Sequence, residues 1–468
     1  MKSNGIIFII LIFVSLINSL NCLIEEGSIY LPMTSNFTLE HYKNKVYNKH
    51  YYTIPLQIGT PEEEYELQID TSTSTTWIPS YRCKNCIMAH RLFDPEDSRT
   101  SSPTNNFIKI EDEDGDVEGY QTSDNIKLGS YKLKQFSFVA VTKVGDNFMD
   151  HYQGKLGLGY KNYFLKNDEF NFLEELKKNS LISKKVFSIS TISDKRGMLF
   201  VGDVPGKDYM TFCNITDTEK LDDLYKESWV CEMSHVGIFE KEKGMFNKIK
   251  LYEELKNNKL VNFDSAYDYI AVPISEKPTI QNILNKANLL CRESRKDNLK
   301  LSNDFRHRIR DEEITIICKT NKEDLKNKNM ALSFILQDFS YSLPFERLFV
   351  EGKKEGDMNM LIKYIDDENA IWTFGYPFFN QFLMIFNMEE KHVGMKKLKK
   401  TELPIVDVYG KYLVKEEKTN IAFKIFGYFT LILVVLAILF FVYHAIRKNN
   451  INNKDENLKN NQIKQEIF

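Results

Sequence analysis

Two stretches of this 468-residue chain repeat one pattern. Ile69-Asp70-Thr71-Ser72-Thr73 runs on to Trp77-Ile78-Pro79, and Phe263-Asp264-Ser265-Ala266-Tyr267 runs on to Ala271-Val272-Pro273. In each, an apolar residue precedes an aspartate, a small hydroxyl residue follows it, and a proline stands nine residues beyond the aspartate. Two matching carboxylate loops, one in each half of the chain, constrain the fold to two similar halves that each present one carboxylate.

The ends of the chain bound where those halves reside. Met1-Lys2 opens a short apolar run from Ile6 to Val14, followed by small and polar residues such as Ser15, Ser19 and Asn21. A basic start, a short apolar core and small residues beyond it predict a secretory signal over 1–22. Ile421 to Ile446 is apolar apart from Lys424 and a few mildly polar residues, which is long enough for a membrane-spanning helix. Arg447 and Lys448 follow at once, so 447–468 is expected to be a cytosolic tail. The expectation is a single-pass type I membrane protein of the secretory or endosomal pathway or the cell surface. Its ectodomain is then lumenal or extracellular, with 401–420 as a juxtamembrane stalk.

An oxidising compartment suits the cysteines. Apart from Cys22, in the expected cleavage region, there are six: Cys83, Cys86, Cys213, Cys231, Cys291 and Cys318. Six cysteines allow many connectivities, and the sequence-local set Cys83–Cys86, Cys213–Cys231 and Cys291–Cys318 is the expected one. Cys83-Lys84-Asn85-Cys86 lacks a second CxxC or a nearby His pair, which argues against zinc. Asn36-Phe37-Thr38 and Asn214-Ile215-Thr216 fit the acceptor motif for glycans. With 62 basic and 65 acidic residues mixed along the chain, nothing points to a nucleic-acid partner.

Roughly 400 residues between signal and anchor exceed one ordinary core, so two lobes are expected. Strand-like runs dominate: Tyr52 to Ile58, Phe136 to Val141, Met198 to Val201, Ile314 to Cys318 and Phe382 to Phe386. Helical stretches are few, with Glu169 to Asn179 and Thr279 to Leu290 the better ones. The charged runs Arg292 to Glu313 and Glu351 to Glu368 read as solvated surface loops.

The chain resembles the pepsin-like aspartic proteases, and among them the plasmepsin-type enzymes of apicomplexan parasites. Tyr52-Thr53-Ile54-Pro55-Leu56-Gln57-Ile58-Gly59-Thr60-Pro61 is similar to the family's opening strand and turn. Asp70-Thr71-Ser72-Thr73 stands where the family has Asp-Thr-Gly-Ser or Asp-Thr-Gly-Thr, and Trp77-Ile78-Pro79-Ser80 where it has Trp-Val-Pro-Ser. Gly154-Lys155-Leu156-Gly157-Leu158-Gly159 matches Gly-Ile-Leu-Gly-Leu-Gly, and Trp372-Thr373-Phe374-Gly375-Tyr376-Pro377-Phe378 stands at the equivalent place in the second lobe. Phe386-Asn387 and His392-Val393-Gly394 fit the closing strands. The resemblance implies an all-β, bilobal pepsin-like fold with few short helices, plus the one C-terminal transmembrane helix. Residues 23–50 would be a short pro or N-terminal segment, 51–204 the first lobe and 205–400 the second.

Hydrolysing a peptide without a covalent intermediate requires a base for water and an acid for the carbonyl and amine. Two carboxylates within hydrogen-bond reach can share one proton and do both. The resemblance assigns these roles to Asp70 and Asp264, with Thr71 and Ser265 bracing the two loops and Thr73 placing a hydroxyl at the first carboxylate. It implies a peptide or protein substrate, a monomeric ectodomain, and neither metal nor organic cofactor.

The chain departs from the family at several points. Ser72 and Ala266 replace the glycines that let the loops approach closely, and Ser72 adds a hydroxyl able to donate to Asp70. Tyr267 replaces a Ser or Thr at the second carboxylate. In the flap, Ile110 to Gly119, Asp114-Gly115 marks a hairpin turn, and Asp112 stands where the family has the tyrosine that bonds a tryptophan, here Trp77. Tyr120, the residue after that segment, is the alternative flap aromatic. Ile110 and Gln121 at the first and last ligand positions exclude a calcium loop. The expected activity is that of a membrane-anchored aspartic endopeptidase. The alternative is a catalytically impaired relative that binds an extended peptide or partner protein in its cleft by strand-like contacts.

Overall fold

The computed structural model describes residues 28–407, apart from 43–44, 85, 87–90, 111–115, 146–152, 164, 166–167, 194, 204–210, 220, 243–244, 256–258, 296–312, 353, 368 and 399–405. The chain divides into two units, 1–413 and 414–468, and all described residues lie in the first. The expected signal, membrane helix and tail, with Asp112 and Gly115 of the flap, therefore lie outside the described residues. No helix among the described residues is long and apolar enough to cross a membrane.

The described chain is mostly strand. Its helices are short, as in Phe172–Lys178 and Lys277–Lys286. The first starts where the Asn171 side chain accepts from the N–H groups of Leu173 and Glu174, which satisfies two of the donors a helix leaves open at its start.

One four-strand arrangement occurs twice. Glu63–Asp70 runs parallel to Lys155–Gly157, which lies antiparallel to Trp77–Lys84, which in turn runs parallel to Tyr131–Val144. In the second half, Leu260–Phe263 runs parallel to Trp372–Phe374, which lies antiparallel to Ile270–Pro273, which runs parallel to Asp357–Ile365. The register matches as well: Ile69 faces Leu156 across the first pair and Phe263 faces Phe374 across the second. Each carboxylate loop therefore leaves the C-terminal end of a strand whose far side is closed by a glycine-bearing segment. Gly157 and Gly375 are required there by close approach. A Cβ at Gly157 would collide with the backbone of Ser74, and one at Gly375 with the carbonyl oxygens of Tyr267 and Tyr269.

These repeats are built into a 13-stranded and a 12-stranded sheet. The first is completed by strands distant in sequence, because Phe382–Asn387 pairs with Val186–Ser193 and His392–Lys397 with Thr211–Asn214. Part of the segment 23–50 is itself a sheet strand. Ile29–Tyr42 pairs with both Lys45–Ile58 and Arg196–Val201, with Ile29, Leu31 and Met33 buried on alternate positions. Within the larger sheet Phe187 stacks on its cross-strand partner Phe386 at 4.7 Å, and Trp229 meets Phe386 edge-on at 5.1 Å. Aromatic pairs of this kind add about 0.5–1.5 kcal/mol beyond the burial itself. The Trp229 indole N–H is satisfied by the Leu158 carbonyl at 2.8 Å.

One expectation is overturned. Glu351 to Glu368 is not a surface loop, because Asp357–Ile365 is a strand with Met358, Met360, Ile362 and Tyr364 buried in the core. Charged residues on either side of it hid a period-2 buried face. Of the other charged run, Cys291–Arg295 is a strand paired with Glu313–Lys319, and 296–312 lie outside the described residues.

Three disulfides join Cys83 to Cys86, Cys213 to Cys231 and Cys291 to Cys318. The second ties a strand of the larger sheet to one of the smaller, and the third clamps directly opposed residues of a strand pair. Asn214 is exposed at the end of its strand, and the backbone of Asn36 pairs with Tyr51.

Beside the third disulfide, the buried Asp357 carboxylate meets Lys319 Nζ at 2.6 Å and Arg292 Nη2 at 2.6 Å. The Lys319 ammonium, with Arg292 beside it, holds this carboxyl below its ordinary value. A depressed folded-state value adds stability above the unfolded carboxyl's own range and loses it as pH falls through the folded value. Asp357→Asn is therefore expected to lower Tm at neutral pH. The difference from the parent should vanish in strong acid, as read by melting curves across pH.

Candidate active site

Asp70 ends its strand and Asp264 follows the end of its own, and both are buried, at 1% and 0% exposure. The loops are stitched to each other reciprocally. Thr71 Oγ1 donates to the carbonyl of Phe263 at 2.8 Å, and Ser265 Oγ donates to the carbonyl of Ile69 at 2.7 Å. Each hydroxyl thus reaches the residue just before the opposite aspartate. Thr71 Oγ1 also accepts from Ser265 N at 3.0 Å, so its hydroxyl is used in both directions.

Thr71→Val keeps the side-chain shape but removes both bonds, leaving a buried carbonyl and a buried N–H without that partner. Each such group costs about 1–3 kcal/mol, so a loss of about 2–4 kcal/mol is expected in urea denaturation. Thr71→Ser, which keeps the hydroxyl, should recover most of it.

The two carboxylates have different surroundings. Asp264 Oδ1 accepts from Ala266 N at 2.8 Å. Asp70 Oδ1 accepts from Ser72 N at 2.8 Å and also from Ser72 Oγ at 2.6 Å, a bond that a glycine at this position would not make. Asp70 Oδ2 faces Lys155 Nζ at 3.2 Å, with the two side chains only 2% and 1% exposed. Both oxygens of Asp70 therefore face donors, and one of those donors is a buried cation.

Thr73 does not reach Asp70. Its hydroxyl donates to Glu227 Oε2 at 3.3 Å and accepts from Thr75 N at 3.2 Å. The buried Glu227 is the anchor of the first loop. Its Oε2 also accepts from Ser74 N at 2.9 Å and Ser74 Oγ at 3.0 Å, and its Oε1 accepts from Tyr163 N at 2.8 Å. Thr73 thus braces the loop through Glu227, because the chain turns its side chain away from the carboxylate.

Trp77 is fully buried among Tyr51, Val139, Val141 and Phe170. The flap strands Ser102–Ile110 and Val117–Leu128 pair antiparallel, and Asp112 and Gly115, between them in sequence, lie outside the described residues. Tyr120 stands opposite Phe107 on that hairpin, rings 5.6 Å apart edge-on, with both exposed. At the second loop, Tyr267 packs edge-on against Tyr269 at 5.2 Å. Among the described residues there is no group of three His, Cys, Asp or Glu placed to hold a metal.

Sequence reasoning missed Lys155 and Glu227. The signal for Lys155 was present: it is the only charge in Gly154-Lys155-Leu156-Gly157-Leu158-Gly159, a segment otherwise apolar or glycine. Glu227 belongs to no motif, and only the folded chain brings it to residues 73 and 74.

A family model described as eukaryotic aspartyl protease matches residues 51–398. Pregnancy-associated glycoprotein 2 of Sus scrofa is 28% identical over 197 residues, covering 41% of this chain and 46% of that protein. Renin of Echis ocellatus is 21% identical over 350 residues, covering 72% of this chain and 78% of its own. Pepsin II-2/3 of Oryctolagus cuniculus is 26% identical over 214 residues, covering 45% of this chain and 54% of that protein. The chain thus spans about half the length of the glycoprotein and the pepsin and a larger share of the renin.

Proposed function

Because the chain belongs to the eukaryotic aspartyl protease family, we propose that it is an endopeptidase in which Asp70 and Asp264 activate water against a peptide bond. The observation that carries this reading is the reciprocal stitch through Thr71 and Ser265, which spends two buried hydroxyls on holding the two aspartate loops together. In the reaction, Asp70 takes a proton from water as the water oxygen bonds to the scissile carbonyl carbon. Asp264 gives its proton to the carbonyl oxygen, forming a gem-diol. The C–N bond then breaks, the amine leaves with the proton held by Asp70, and the diol returns one proton to Asp264 as the acid product forms.

The finer reading is a plasmepsin-type, membrane-anchored, type I protein of the secretory or endosomal pathway or cell surface. Its support is the apolar stretch Ile421 to Ile446 with Arg447 and Lys448 beyond it. The lobes would be 51–204 and 205–400, acting as a monomer on peptides or proteins.

A second reading is favoured by the Lys155–Asp70 ion pair: a cleft that binds extended peptides without cutting them. The two are separated by incubating the full chain with a mixed peptide library from about pH 4 to pH 7.5 and reading new termini by mass spectrometry. New termini that vanish in Asp264→Asn support the peptidase. A folded chain that retains peptides without producing termini supports the binder.

A further inference from the structure

The plane of the Asp70 carboxylate is not set by its own torsion. The last bond of an Asp side chain turns within a broad, roughly two-fold well, so donors to the oxygens have to fix the direction. The donors to Asp70 Oδ1 both come from one residue, Ser72 N at 2.8 Å and Ser72 Oγ at 2.6 Å. The backbone bond has its counterpart in the second half, where Ala266 N donates to Asp264 Oδ1 at 2.8 Å. The hydroxyl bond has no counterpart from residue 266, because alanine carries no hydroxyl. The Ser72 hydroxyl is therefore added to a backbone frame that the two loops share.

The next residue gives the addition its meaning. The resemblance places a hydroxyl at the first carboxylate through Thr73, and in the folded chain that hydroxyl is engaged elsewhere. It donates to Glu227 Oε2 at 3.3 Å and accepts from Thr75 N at 3.2 Å. The Thr73 carbonyl is held too, accepting from Gly159 N at 2.7 Å. Thr73 is thus tied at backbone and side chain with its hydroxyl turned away from Asp70. Ser72 is anchored in a different direction. Its carbonyl accepts from Ser228 Oγ at 3.3 Å, and from that braced backbone its own hydroxyl reaches back to Asp70.

We infer that Ser72 is a positioning residue for this site, supplying at Asp70 the hydroxyl bond that Thr73 gives to Glu227 and so fixing the plane of the carboxylate that takes the proton from water. This rests on the endopeptidase reading above. Glycine at residue 72 would keep the backbone bond to Oδ1 and lose the hydroxyl bond, with Thr73 still held by Glu227. Returning residue 72 to the glycine of the family is therefore expected to slow the reaction.

The test uses the full chain and one peptide that it cleaves from the mixed library. Ser72→Gly and Ser72→Ala are each expected to lower kcat by on the order of ten- to a hundredfold, the effect of losing one hydrogen bond to a charged acceptor. KM should stay within about twofold, since the bond serves the proton transfer and not the binding of the peptide. Ser72→Thr keeps a hydroxyl and should retain most of kcat. A residue that only shaped the loop would give another order, with glycine tolerated best because it lets the backbone approach most closely. Melting curves on the same preparations establish that each variant is folded, and the alanine variant carries the comparison if the glycine variant is not.

A folded Ser72→Gly protein with the kcat of the parent would overturn the proposal. So would a folded Ser72→Thr protein as slow as the glycine variant, because the hydroxyl would then not be the cause. If a folded parent cuts nothing in the library, the endopeptidase reading falls, and the proposal with it. If cleavage is lost in Asp264→Asn but unchanged in Ser72→Gly and Ser72→Ala, only the role of Ser72 falls.

Discussion

Asp70→Asn and Asp264→Asn are each expected to reduce peptide cleavage by about a thousandfold or more, since each removes one partner of the acid–base pair. Asp70→Asn is expected to do something further. It removes the anion 3.2 Å from the Lys155 ammonium, which is 1% exposed. Taking one partner from a buried ion pair typically costs about 3–5 kcal/mol, and urea denaturation of Asp70→Asn should reveal a loss of that order. Pairing the change with Lys155→Met should return most of the stability while leaving cleavage absent. A double variant no more stable than Asp70→Asn alone would show that Lys155 does not depend on Asp70. Cleavage that survives Asp264→Asn would remove the two-carboxylate mechanism altogether.

The second large effect lies outside the catalytic pair. Glu227 accepts from Ser74 N, Ser74 Oγ, Thr73 Oγ1 and Tyr163 N, which gathers the chain after Asp70 onto one buried side chain. Glu227→Ala takes the acceptor from all four donors at once. At about 1–3 kcal/mol per buried group left unsatisfied, and with partial relaxation, a loss of about 4 kcal/mol is expected. Because three of those donors, on Thr73 and Ser74, sit within four residues of Asp70, cleavage should fall as well, by on the order of a hundredfold if the carboxylate shifts by about 1 Å. Glu227→Gln keeps an oxygen acceptor and should fall between. Denaturation midpoints and kcat measured on the same preparations separate the two effects, and an alanine variant of parental stability would remove Glu227 from this role.

Much of the scaffold was legible because it is written locally. The runs around Tyr52, Phe138, Val201, Ile316 and Ile385 carry the β-branched and aromatic residues that strands favour, and each lies within an observed strand. The helix expected from Glu169 to Asn179 forms over Phe172–Lys178, after a single 3-10 turn at Asp168–Phe170. Asp357–Ile365 was misread because its charged flanks dominate a count taken over the whole stretch, while its buried face emerges only once the strand is laid beside Ile270–Pro273. The site divides in the same way. The repeated loops announce their aspartates and hydroxyls, since those residues act across a short and repeated motif. Thr73, Lys155 and Glu227 take their roles from partners far off in sequence, and no local pattern says that residue 155 will end beside residue 70 or residue 227 beside residue 74.

The larger sheet has a consequence for how the protein is made. Val186–Ser193 finds its neighbour in Phe382–Asn387, so the first half cannot finish its own sheet when its own residues have been synthesised. At the usual pace of translation, the intervening stretch of roughly 200 residues takes about 10–40 s to emerge. Throughout that interval the edge bearing Phe187 and Ile189 has no strand beside it, and bare edges of this kind recruit other chains. Biogenesis thus includes a wait during which the nascent first half needs shielding, and a chain stalled before residue 382 would be a substrate for quality control rather than a half-sized protein.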